Sequence, residues 1–411
     1  MARDASNDES DLLIVGGGMV GLALALAADG AGLKVAVVDR EAPKTLAAPT
    51  FDGRASAIAL ASMKILDGIG LWPRVADTAQ PILEIRVSDA DSPLFLHYDH
   101  RAAGAEPLGY MVENRNTIAA LHQLVAESAI DWRAPANAVR VTRGAAGVEA
   151  ELDDGARLRA RVVAAADGKR SALREAAGIP AVHRPYQQTA IVCTVAHARP
   201  HRGIAHERFL AAGPFAILPL SDDGPTHRSS LVWTERADLA PALMALDEAG
   251  FLSELARRFG DFLGNLKVVG PRWSYPLSLS HATRLTAPRL ALVGDAGHAI
   301  HPIAGQGFNL GLRDVAALAE VLADARRLGL DIGGGDVLAR YERWRRLDSL
   351  SMTLATDGLN RLFSNDIAPL RLARDLGLAA VDRMAPLKTL FMRHAMGVLG
   401  DQPRLARGEP I

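Results

Sequence analysis

Three short apolar runs, each followed within two residues by a glycine, mark the hydrophobic pattern of this chain. The runs are LLIV (12–15), VVAAA (162–166) and RLALV (289–293). Continuous apolar runs of this length are typical of central parallel strands, because both faces of such strands are buried. The first run leads into MVGLALALAADG and then KVAVV, which predicts a strand, a buried helix and a second strand.

The apolar stretch 12–28 resembles a short membrane span. Four glycines interrupt it, and its length is at the lower limit for a helix that crosses a bilayer. We therefore interpret it as a buried strand, a glycine turn and a buried helix.

Alternating patterns predict a second sheet of another kind. ILEIRVSDADSPLFLHYD (82–99) alternates like a hairpin whose turn is DADSP, and strand-like runs recur through residues 183–275. We expect a mostly antiparallel sheet there, interrupted by a helix near 239–258. Residues 310–347 predict two helices joined by a Gly-rich loop, and residues 350–411 predict further helices.

Composition narrows the class of protein. The 411 residues are 49% hydrophobic but only 5% aromatic, which favours an α/β or helical fold over an all-β one. Lys plus Arg (46) balance Asp plus Glu (47), so the basic excess typical of nucleic-acid binders is absent and no nucleic-acid partner is expected. The lone Cys193 excludes an internal disulfide and a Cys-rich zinc site, and it favours a reducing, cytoplasmic setting. The first ten residues lack the pattern of a signal peptide.

A glycine fingerprint stands between the first two predicted strands. Gly16, Gly18 and Gly21 form G-x-G-x-x-G, and Asp39 ends the second strand 18 residues after Gly21. Such glycines permit a tight turn, close approach of a pyrophosphate and close helix packing, while the acid accepts hydrogen bonds from an adenosine ribose. The start of the helix adds unpaired N–H groups for the phosphates. The pattern predicts dinucleotide binding in a Rossmann-like domain, and by itself it does not choose FAD over NAD.

The other two apolar runs end in pairs of an acid and a glycine. Asp167-Gly168 follows the second run, and alone it fits an ordinary strand-to-helix turn. Gly294-Asp295 follows the third run at the carboxyl edge of a strand, where ligands bind in open α/β sheets. The next segment, PIAGQGFNLGLRD (302–314), places two glycines before a helix, whose first N–H groups can bind an electron-rich group.

Together, these three stretches resemble those of the class A flavoprotein monooxygenases in order and spacing. Within that class the chain is most similar to the UbiH/UbiF/VisC family of ubiquinone-biosynthesis hydroxylases. The similar stretches are GDAGHAIHPIAGQGFNLGLRD (294–314), FDGRASAIALA (51–61), VENRNTIAALH (112–122) and GPFAILPL (213–220). The resemblance extends over residues 10–350.

The resemblance implies an α/β fold in which an FAD-binding, three-layer Rossmann-like domain carries an inserted, mostly antiparallel substrate domain and is followed by C-terminal helices. The expected boundaries are 10–75, 101–182 and 276–350 for the FAD domain, 76–100 and 183–275 for the substrate domain, and 351–411 for the helical region. It also implies that NADH or NADPH visits the flavin transiently. O2 would then form a C4a-hydroperoxide that hydroxylates an aromatic ring.

We expect the substrate to be a polyprenylated phenol of ubiquinone biosynthesis. Two alternatives stay open: a hydroxylase of a small soluble phenol, and a flavin-binding scaffold of a biosynthetic complex that does not turn over. A halogenase fits less well because the chain lacks W-x-W-x-I-P. The segment APLKTLFMRHAMGVLG (385–400) predicts an amphipathic helix that packs on the body or rests on a membrane surface or a partner. Other ubiquinone-biosynthesis proteins and a second copy of the chain stay open as partners.

The resemblance also assigns cofactor contacts to individual residues. Asp295 would bind the ribityl chain, Asp167-Gly168 would lie near the pyrophosphate and the nicotinamide donor, and the 305–309 backbone would donate hydrogen bonds to the flavin ring. The expected cofactor contacts are Gly16, Gly18, Gly21, Asp39, Arg40, Arg54, Arg115, Asp167, Gly168, Gly294, Asp295, Gly305, Gln306, Gly307, Phe308 and Asn309.

Residues for the chemical step are harder to choose. The expected catalytic residues are Arg54 at the entrance to the flavin ring, His301, and Pro302 close to the ring. A substrate pocket is expected from His206, Phe209, Phe215, Ile217, Leu218 and Pro219, a run that equally suits a buried strand. The base that would activate a phenol stays open among His206, His301 and Arg54. His298 and His301 have a spacing that suits a metal, but the nearest third ligand is Asp295, which has the ribityl role, so no metal is expected.

Overall fold

The computed structural model describes residues 9–43, 51–89, 92, 95–102, 104–301, 303–364, 374, 377 and 381–411. The strands are β1 (Glu9–Val15), β2 (Val35–Val38), β3 (Ala55–Ala59), β4 (Gln80–Ile82), β5 (Glu84–Asp89), β6 (Phe95–Asp99), β7 (Gly109–Glu113), β8 (Asp131–Arg133), β9 (Ala138–Arg143), β10 (Val148–Leu152), β11 (Arg157–Ala165), β12 (Ala181–His197), β13 (Ile204–Leu210), β14 (Gly213–Asp223), β15 (Thr226–Arg236), β16 (Leu266–Ala282), β17 (Thr286–Ala287), β18 (Leu290–Leu292) and β19 (His298–Ala299). The α-helices are α1 (Met19–Gly30), α2 (Leu60–Gly68), α3 (Trp72–Val75), α4 (Asn114–Glu127), α5 (Ala172–Ala176), α6 (Ala240–Ala245), α7 (Glu248–Phe259), α8 (Gln306–Arg327), α9 (Gly335–Phe363), α10 (Ala385–Ala395) and α11 (Arg404–Arg407).

The three apolar runs of the sequence become neighbouring strands of one sheet. Its order is β17-β18-β11-β1-β2-β8, with β10 and β9 added beside β11. β1 is parallel to β2 and β11, and β11 is parallel to β18. Leu12 and Ile14 enter a core formed with α1 and α8, whereas Leu13 enters a second core under β9 and β10. Both faces are therefore buried along the apolar runs, which is why the runs carry no polar alternation.

The second sheet has the order β19-β16-β12-β15-β14-β13-β5-β6. Its strands pair antiparallel except β13 and β5, which are parallel. One face packs against α6 and α7. These are two helices where the sequence predicts one, because Asp247 caps α7 by accepting a hydrogen bond from the Gly250 N–H at 2.8 Å. The α/β class and the two kinds of sheet predicted from the pattern are confirmed.

A small sheet, β3-β7-β4, and the C-terminal helices join the two large sheets. Met111 of β7, Ala205 of β13 and Met392 of α10 share one apolar cluster. Leu405 of α11 enters the main core against α2 and α8. The predicted pair of helices around the Gly-rich loop is α8 and α9. No helix in the described ranges combines the length and apolar character that a bilayer crossing requires.

Candidate active site

The glycine fingerprint connects the end of β1 to the start of α1. Gly16 has φ +109°, and a Cβ there would overlap the carbonyl oxygen of Ala166. A Cβ at Gly21 would overlap the carbonyl oxygen of Gly16, so both glycines are required by the packing of the chain itself. A Cβ at Gly18 would meet no atom within 4 Å. Gly18 is therefore the position where a ligand has room to approach the backbone.

Asp39, which follows the neighbouring strand β2, accepts a hydrogen bond from the glycine fingerprint. Its carboxylate accepts hydrogen bonds from the backbone N–H of Gly17 and, at 2.7 Å, from that of Glu41. A Cβ at Gly17 would lie 2.9 Å from Asp39 Oδ2, so a larger residue there would require the Asp39 side chain to move. Arg40, the next residue, is exposed.

An open recess of about 240 Å³ brings several of these groups together. It is lined by Gly17, Gly18, Met19, Leu22, Asp39, Glu41, Ala42, Pro43, Arg54, Ile118, Leu121, His122 and Trp132. The fingerprint, the acid that ends β2, and Arg54 thus face one space, although they are distant in sequence. His122 and Trp132 pack against each other with ring centroids 4.9 Å apart. The sequence motifs do not identify His122 and Trp132 as part of this recess.

Arg54 and Arg115 are each held by an acid two residues away. Arg54 pairs with Asp52 at 2.6 Å and lies 5.3 Å above the ring of Trp273. Arg115 pairs with Glu113, again at 2.6 Å. Such pairs limit the freedom of the guanidinium groups and keep their donors in a defined orientation.

Glu113 has a second partner, which lies on the second large sheet. Arg228 of β15 contacts Glu113 at 2.9 Å, and both side chains are buried. The guanidinium groups of Arg228 and Arg115 both lie over the ring of Phe51. Arg228 carries no local signal in the sequence, because its role depends on a strand far from the fingerprint.

Asp167 and Gly168 follow β11 at the same edge of the sheet as the fingerprint. Asp167 Oδ2 accepts a hydrogen bond from the Leu173 N–H at 3.3 Å, whereas Oδ1 is buried and has no partner among the described residues. Gly168 has φ +82° and faces open space. The orphan oxygen and the open glycine both indicate that a group from outside the chain completes this corner.

Asp295 follows the third apolar run, directly after Gly294. Gly294 has φ +61°, and its N–H donates to Asp314 Oδ2 at 2.9 Å, which directs the following residue outward. The Asp295 side chain faces open space, yet burial by the surrounding protein raises the pKa of its carboxyl, against the charges of His298 and Lys169. Both observations describe a carboxyl at the wall of a recess, where the hydroxyl groups of a sugar alcohol could donate to it.

The start of α8 is exposed to the same region. Gly305 has φ +63°, and a Cβ there would lie 2.9 Å from the Cβ of Ala57. Gly307 faces open space, and Phe308 packs partly against the main core. The first N–H groups of a helix have no intrahelical acceptor, so those of residues 306–308 can bind a ligand.

The side chain of Asn309 makes hydrogen bonds within the protein. Its amide nitrogen donates to the Ala57 carbonyl at 2.9 Å, and its Oδ1 accepts from the Ala59 N–H at 2.9 Å. Its side chain therefore fastens α8 to β3 and is not free for a ligand. Gln306 is buried beside it. The predicted position of Pro302 lies outside the described residues.

The two histidines of the third stretch have different neighbours. His298 Nε2 pairs with Asp314 Oδ2 at 2.6 Å, and Arg345 Nε pairs with the other oxygen of Asp314 at 2.6 Å. His301 is fully buried against the ring of Tyr186, with centroids 5.0 Å apart, and burial lowers its pKa to about 4. His301 is therefore neutral near pH 7. Among the described residues, ligand atoms at metal-site distances occur in Glu84, His97 and Asp99, and arginines already pair with both acids.

The predicted substrate-pocket residues divide between the two faces of the second sheet. Phe209 and Leu218 pack in the apolar clusters that face β3 and the loop before α8. Phe215 and Ile217 pack behind the sheet against α7, and Pro219 follows them in the alternation. His206 pairs with Ile217 and contacts Phe262 at 4.8 Å, and burial lowers its pKa to about 4. The six cannot line one surface, because successive side chains of a strand point to opposite faces.

An apolar cavity lies on the face that carries Leu218 and Phe209. Its walls include Ile82, Ile85, Tyr98, Leu108 and Met392, and it reaches Gln306 and Asn309 at the start of α8. Sequence reasoning does not identify this cavity, because its walls come from β3, β4, β5, β6, α8 and α10.

These observations fit FAD as the group that the chain holds. Gly18, Gly168 and Gly307 leave open space where a backbone must be approached closely. Helix starts offer N–H groups to phosphates and to an electron-rich ring, and Asp39 and Asp295 offer acceptors to sugar hydroxyls. The apolar cavity reaches the same helix start, at Gln306 and Asn309.

Comparison with known proteins gives the same assignment. A family profile described as FAD binding domain matches residues 9–350. The chain is 56% identical to ubiquinone hydroxylase UbiL of Rhodospirillum rubrum over 98% of this chain and 94% of that protein. It is 36% identical to 3-demethoxyubiquinol 3-hydroxylase of Escherichia coli K12 over 96% of this chain and 100% of that protein.

Solved structures show the same fold. The p-nitrophenol 4-monooxygenase PnpA from Pseudomonas putida DLL-E4 superposes with a TM-score of 0.78 at 21% identity, covering 96% of this chain and 99% of that one. The fold, the site and the extent of similarity to these relatives agree. The chain therefore belongs to the FAD-binding-domain family and, within it, to the FAD-dependent ubiquinone-biosynthesis hydroxylases of the UbiH/UbiF/VisC type.

Proposed function

We propose that this FAD-dependent monooxygenase hydroxylates the aromatic ring of a polyprenylated phenol in ubiquinone biosynthesis. The observation that carries the proposal is the apolar cavity whose walls reach the first turn of α8. A ring bound there lies beside the helix start that we assign to the flavin. The names of the relatives, a ubiquinone hydroxylase and a 3-demethoxyubiquinol hydroxylase, point to the same class of substrate.

The residues have separate tasks in this proposal. The fingerprint glycines and Asp39 hold the adenosine and pyrophosphate, Asp295 holds the ribityl chain, and the N–H groups of 306–308 orient the ring. FAD, when bound, supplies the activation of O2 and accepts a hydride from NADH or NADPH. Buried Met111, Met392 and Leu108 exclude water from the cavity.

We further propose that the second sheet, with residues 76–100 and 183–275, forms the substrate domain, and that residues 10–75, 101–182 and 276–350 form the FAD domain. In that arrangement the substrate ring binds between the domains, while Arg54 and Arg228 line the cofactor side of the boundary. The ion pair between Arg228 and Glu113 supports the arrangement, because it crosses the boundary in a buried environment.

We also propose that the enzyme contacts a membrane surface to reach its lipid-like substrate. α9 carries exposed leucines at 347, 350 and 354, a spacing that places them on one face of a helix. Leu390 and Phe391 of α10 are exposed as well. Exposed apolar patches on one region of a protein support contact with a membrane or another protein.

The test is turnover by the purified FAD-loaded enzyme with NADH or NADPH, ¹⁸O₂ and a phenol that carries a prenyl chain. We expect a product one ¹⁸O atom heavier than the substrate, and oxidation of the nicotinamide that increases when the phenol is added. If the enzyme hydroxylates only phenols without a prenyl chain, its substrates are small soluble phenols and the proposed substrate class is wrong. Absence of nicotinamide oxidation with every phenol would favour a flavin-binding scaffold.

A further inference from the structure

Glu207 is a buried acid in the middle of β13. Its side chain is only 9% exposed, and its neighbours in the alternation, Ala205 and Phe209, are buried on the same face. Opposite it in the sheet are Ala216 of β14 and Val87 of β5. The carboxyl therefore lies on the apolar side of the sheet, away from α7.

That side of the sheet faces the start of α8. Ala205 belongs to the cluster that surrounds the apolar cavity, and Ile85, its partner in β5, lines the cavity itself. Phe209 packs with Ile303, two residues before Gly305. Glu207 lies between Ala205 and Phe209, two residues from each, so its side chain points to the same face of the sheet. It is thus the acidic group between the cavity and the loop that we assign to the flavin ring.

The structure provides no internal partner for this carboxyl. Among the described residues no hydrogen bond or ion pair involves the Glu207 side chain, whereas buried Glu113 and Glu235 each pair with an arginine. Among the described residues, the other titratable or charged groups on this face include Tyr98 on β6, the Asp89–Arg374 ion pair and Arg228 of β15, which pairs with Glu113. Burial raises the pKa of Glu207 to about 7 and that of Tyr98 to about 12. An acid kept without a partner costs stability, and such groups are concentrated at functional sites.

We propose that Glu207 binds the ring hydroxyl of the substrate and takes its proton during hydroxylation. This assignment rests on the proposed phenolic substrate. The phenol O–H bond breaks as an O–H bond forms on the Glu207 carboxylate, and the electron pair left on the phenol oxygen makes the ring carbons ortho and para to it more nucleophilic. One oxygen atom of O2 then converts a ring C–H bond into C–OH, and the other oxygen atom leaves as water. NADH or NADPH supplies the two electrons as a hydride, and one proton comes from solvent. The proton returns from Glu207 to the ring oxygen when the product forms.

A buried glutamate is better suited to accept this proton than a glutamate exposed to water. Efficient general bases have pKa values near the operating pH, and an ordinary glutamate is too acidic to draw a proton from a phenol. A glutamate that titrates near neutrality is a stronger base and is still largely ionised at pH 8. His206, one residue earlier, points to the other face, and His301 titrates near 4. Neither matches the requirement as well as Glu207.

The experiment compares Glu207→Gln with Glu207→Asp, and uses Glu248→Gln, at the exposed start of α7, as the matched control. The probe is a phenol with a short prenyl chain, with its O-methyl ether as a competing ligand. In Glu207→Gln we expect kcat to fall by about 10²- to 10⁴-fold, the range typical of a lost general base. FAD content and the rate of flavin reduction measured without phenol should match the wild type.

Two further readouts separate this role from a merely structural one. The wild type should gain activity as pH rises through about 7, and Glu207→Gln should lack that rise. The wild type should bind the phenol more tightly than its methyl ether, and Glu207→Gln should bind them equally. If Glu207→Gln does not fold, Glu207→Asp provides the test. We expect the activity of Glu207→Asp to rise at a lower pH than the activity of the wild type.

A Glu207→Gln enzyme with wild-type kcat, pH profile and preference for the phenol would overturn the inference while leaving the proposed function intact. An unshifted pH profile in Glu207→Asp would do the same. A wild-type enzyme that hydroxylates no phenol would instead refute the proposed function, and the inference with it.

Discussion

At the scale of single residues, this protein keeps three buried or recessed acids in three different environments. Asp314 is fully buried, and the charges of His298 and Arg345 hold its pKa below the usual range. Asp295 opens into a recess, and burial raises its pKa. Glu207 is only 9% exposed, and its carboxyl has no hydrogen-bond or ion-pair partner among the described residues. The environment, and not the residue type, decides whether an acid stabilises the fold or serves a ligand.

Glu207 should make the folding stability depend on pH. Its pKa is about 7 in the folded protein, above the ordinary value of 4.5, so its favourable contribution is complete below pH 4.5 and is lost as pH rises through 7. Relative to Glu207→Gln, the wild type should lose about 3 kcal/mol of unfolding free energy across that interval. Urea unfolding of both proteins at several pH values between 4.5 and 8.5 measures this. Parallel stability curves for the two proteins would contradict it.

Asp295 should contribute directly to cofactor affinity. A hydrogen bond to a charged group contributes about 1.5–3 kcal/mol, so Asp295→Ala should weaken FAD binding by about ten- to hundredfold. Titration of the FAD-free protein, followed by flavin fluorescence, gives the affinity. The same substitution at exposed Asp336 serves as the control and should leave FAD affinity unchanged. Equal affinity in Asp295→Ala and the wild type would remove Asp295 from the cofactor site.

At the scale of elements, α8 connects the cofactor region to the rest of the molecule. Its first turn is fastened to β3 through Asn309, and its middle is fastened to the Gly294 turn through Asp314. Arg345 of α9 completes the network from the other side. The helix is mostly buried, so its position depends on these polar contacts as well as on apolar packing.

Removing the charge of Asp314 should loosen this arrangement. Breaking one member of a buried ion pair typically costs 3–5 kcal/mol, because the remaining charge stays buried without compensation. We therefore expect Asp314→Asn to lower the unfolding free energy by about that amount, measured by urea denaturation of the FAD-free protein. Asp336→Asn, at the exposed start of α9, is the matched control and should change it by less than about 0.5 kcal/mol. A similar small change in Asp314→Asn would show that the network is not stabilising.

The fingerprint glycines should respond differently to the same substitution. In Gly21→Ala the new methyl group overlaps the Gly16 carbonyl, so α1 must move and the FAD-free protein should melt at lower temperature. In Gly18→Ala the methyl group meets no protein atom, so the FAD-free melting temperature should be unchanged while FAD binding is lost. Thermal melts and FAD titration of both variants separate the two roles. Equal melting temperatures for the two variants would contradict this division.

At the scale of the whole molecule, the cavity is assembled by elements from most of the chain. β3, β4, β7 and α8 form part of its wall, β5 and β6 contribute Ile85 and Tyr98, and α10 contributes Met392. The C-terminal region therefore closes the cavity and is packed on the body. Its exposed side still presents apolar residues to the surroundings.

The leucines of α9 test the proposed membrane contact. Leu347 and Leu354 are 77% and 62% exposed, and Leu347→Gln combined with Leu354→Gln should reduce binding to phospholipid vesicles by about tenfold or more. Turnover of a short-chain phenol in solution should be unchanged. Leu328→Gln is the matched control, since Leu328 is 73% exposed at the end of α8, outside this helix. Equal vesicle binding by the double variant and the control would exclude α9 from the contact.

The sequence by itself determined the parts of this protein in which neighbouring residues act together. These parts are local patterns, and taken together they predict specific structural elements. They are the three apolar runs, the fingerprint glycines, the acids at strand ends and the helix pair around the Gly-rich loop. The class of sheet follows from them, because a run without alternation must be buried on both faces.

Only the tertiary structure decided which of the remaining residues face one another. Strand alternation places Phe215 and Ile217 on the face that packs against α7, whereas Phe209 and Leu218 pack in the clusters of the opposite face. The direction of that alternation cannot be read from an apolar run. Arg228 and Glu207 acquire their roles from strands distant in sequence. Burial and the supply of partners are properties of the assembled fold, so the chemistry of such residues is fixed only when the sheets pack.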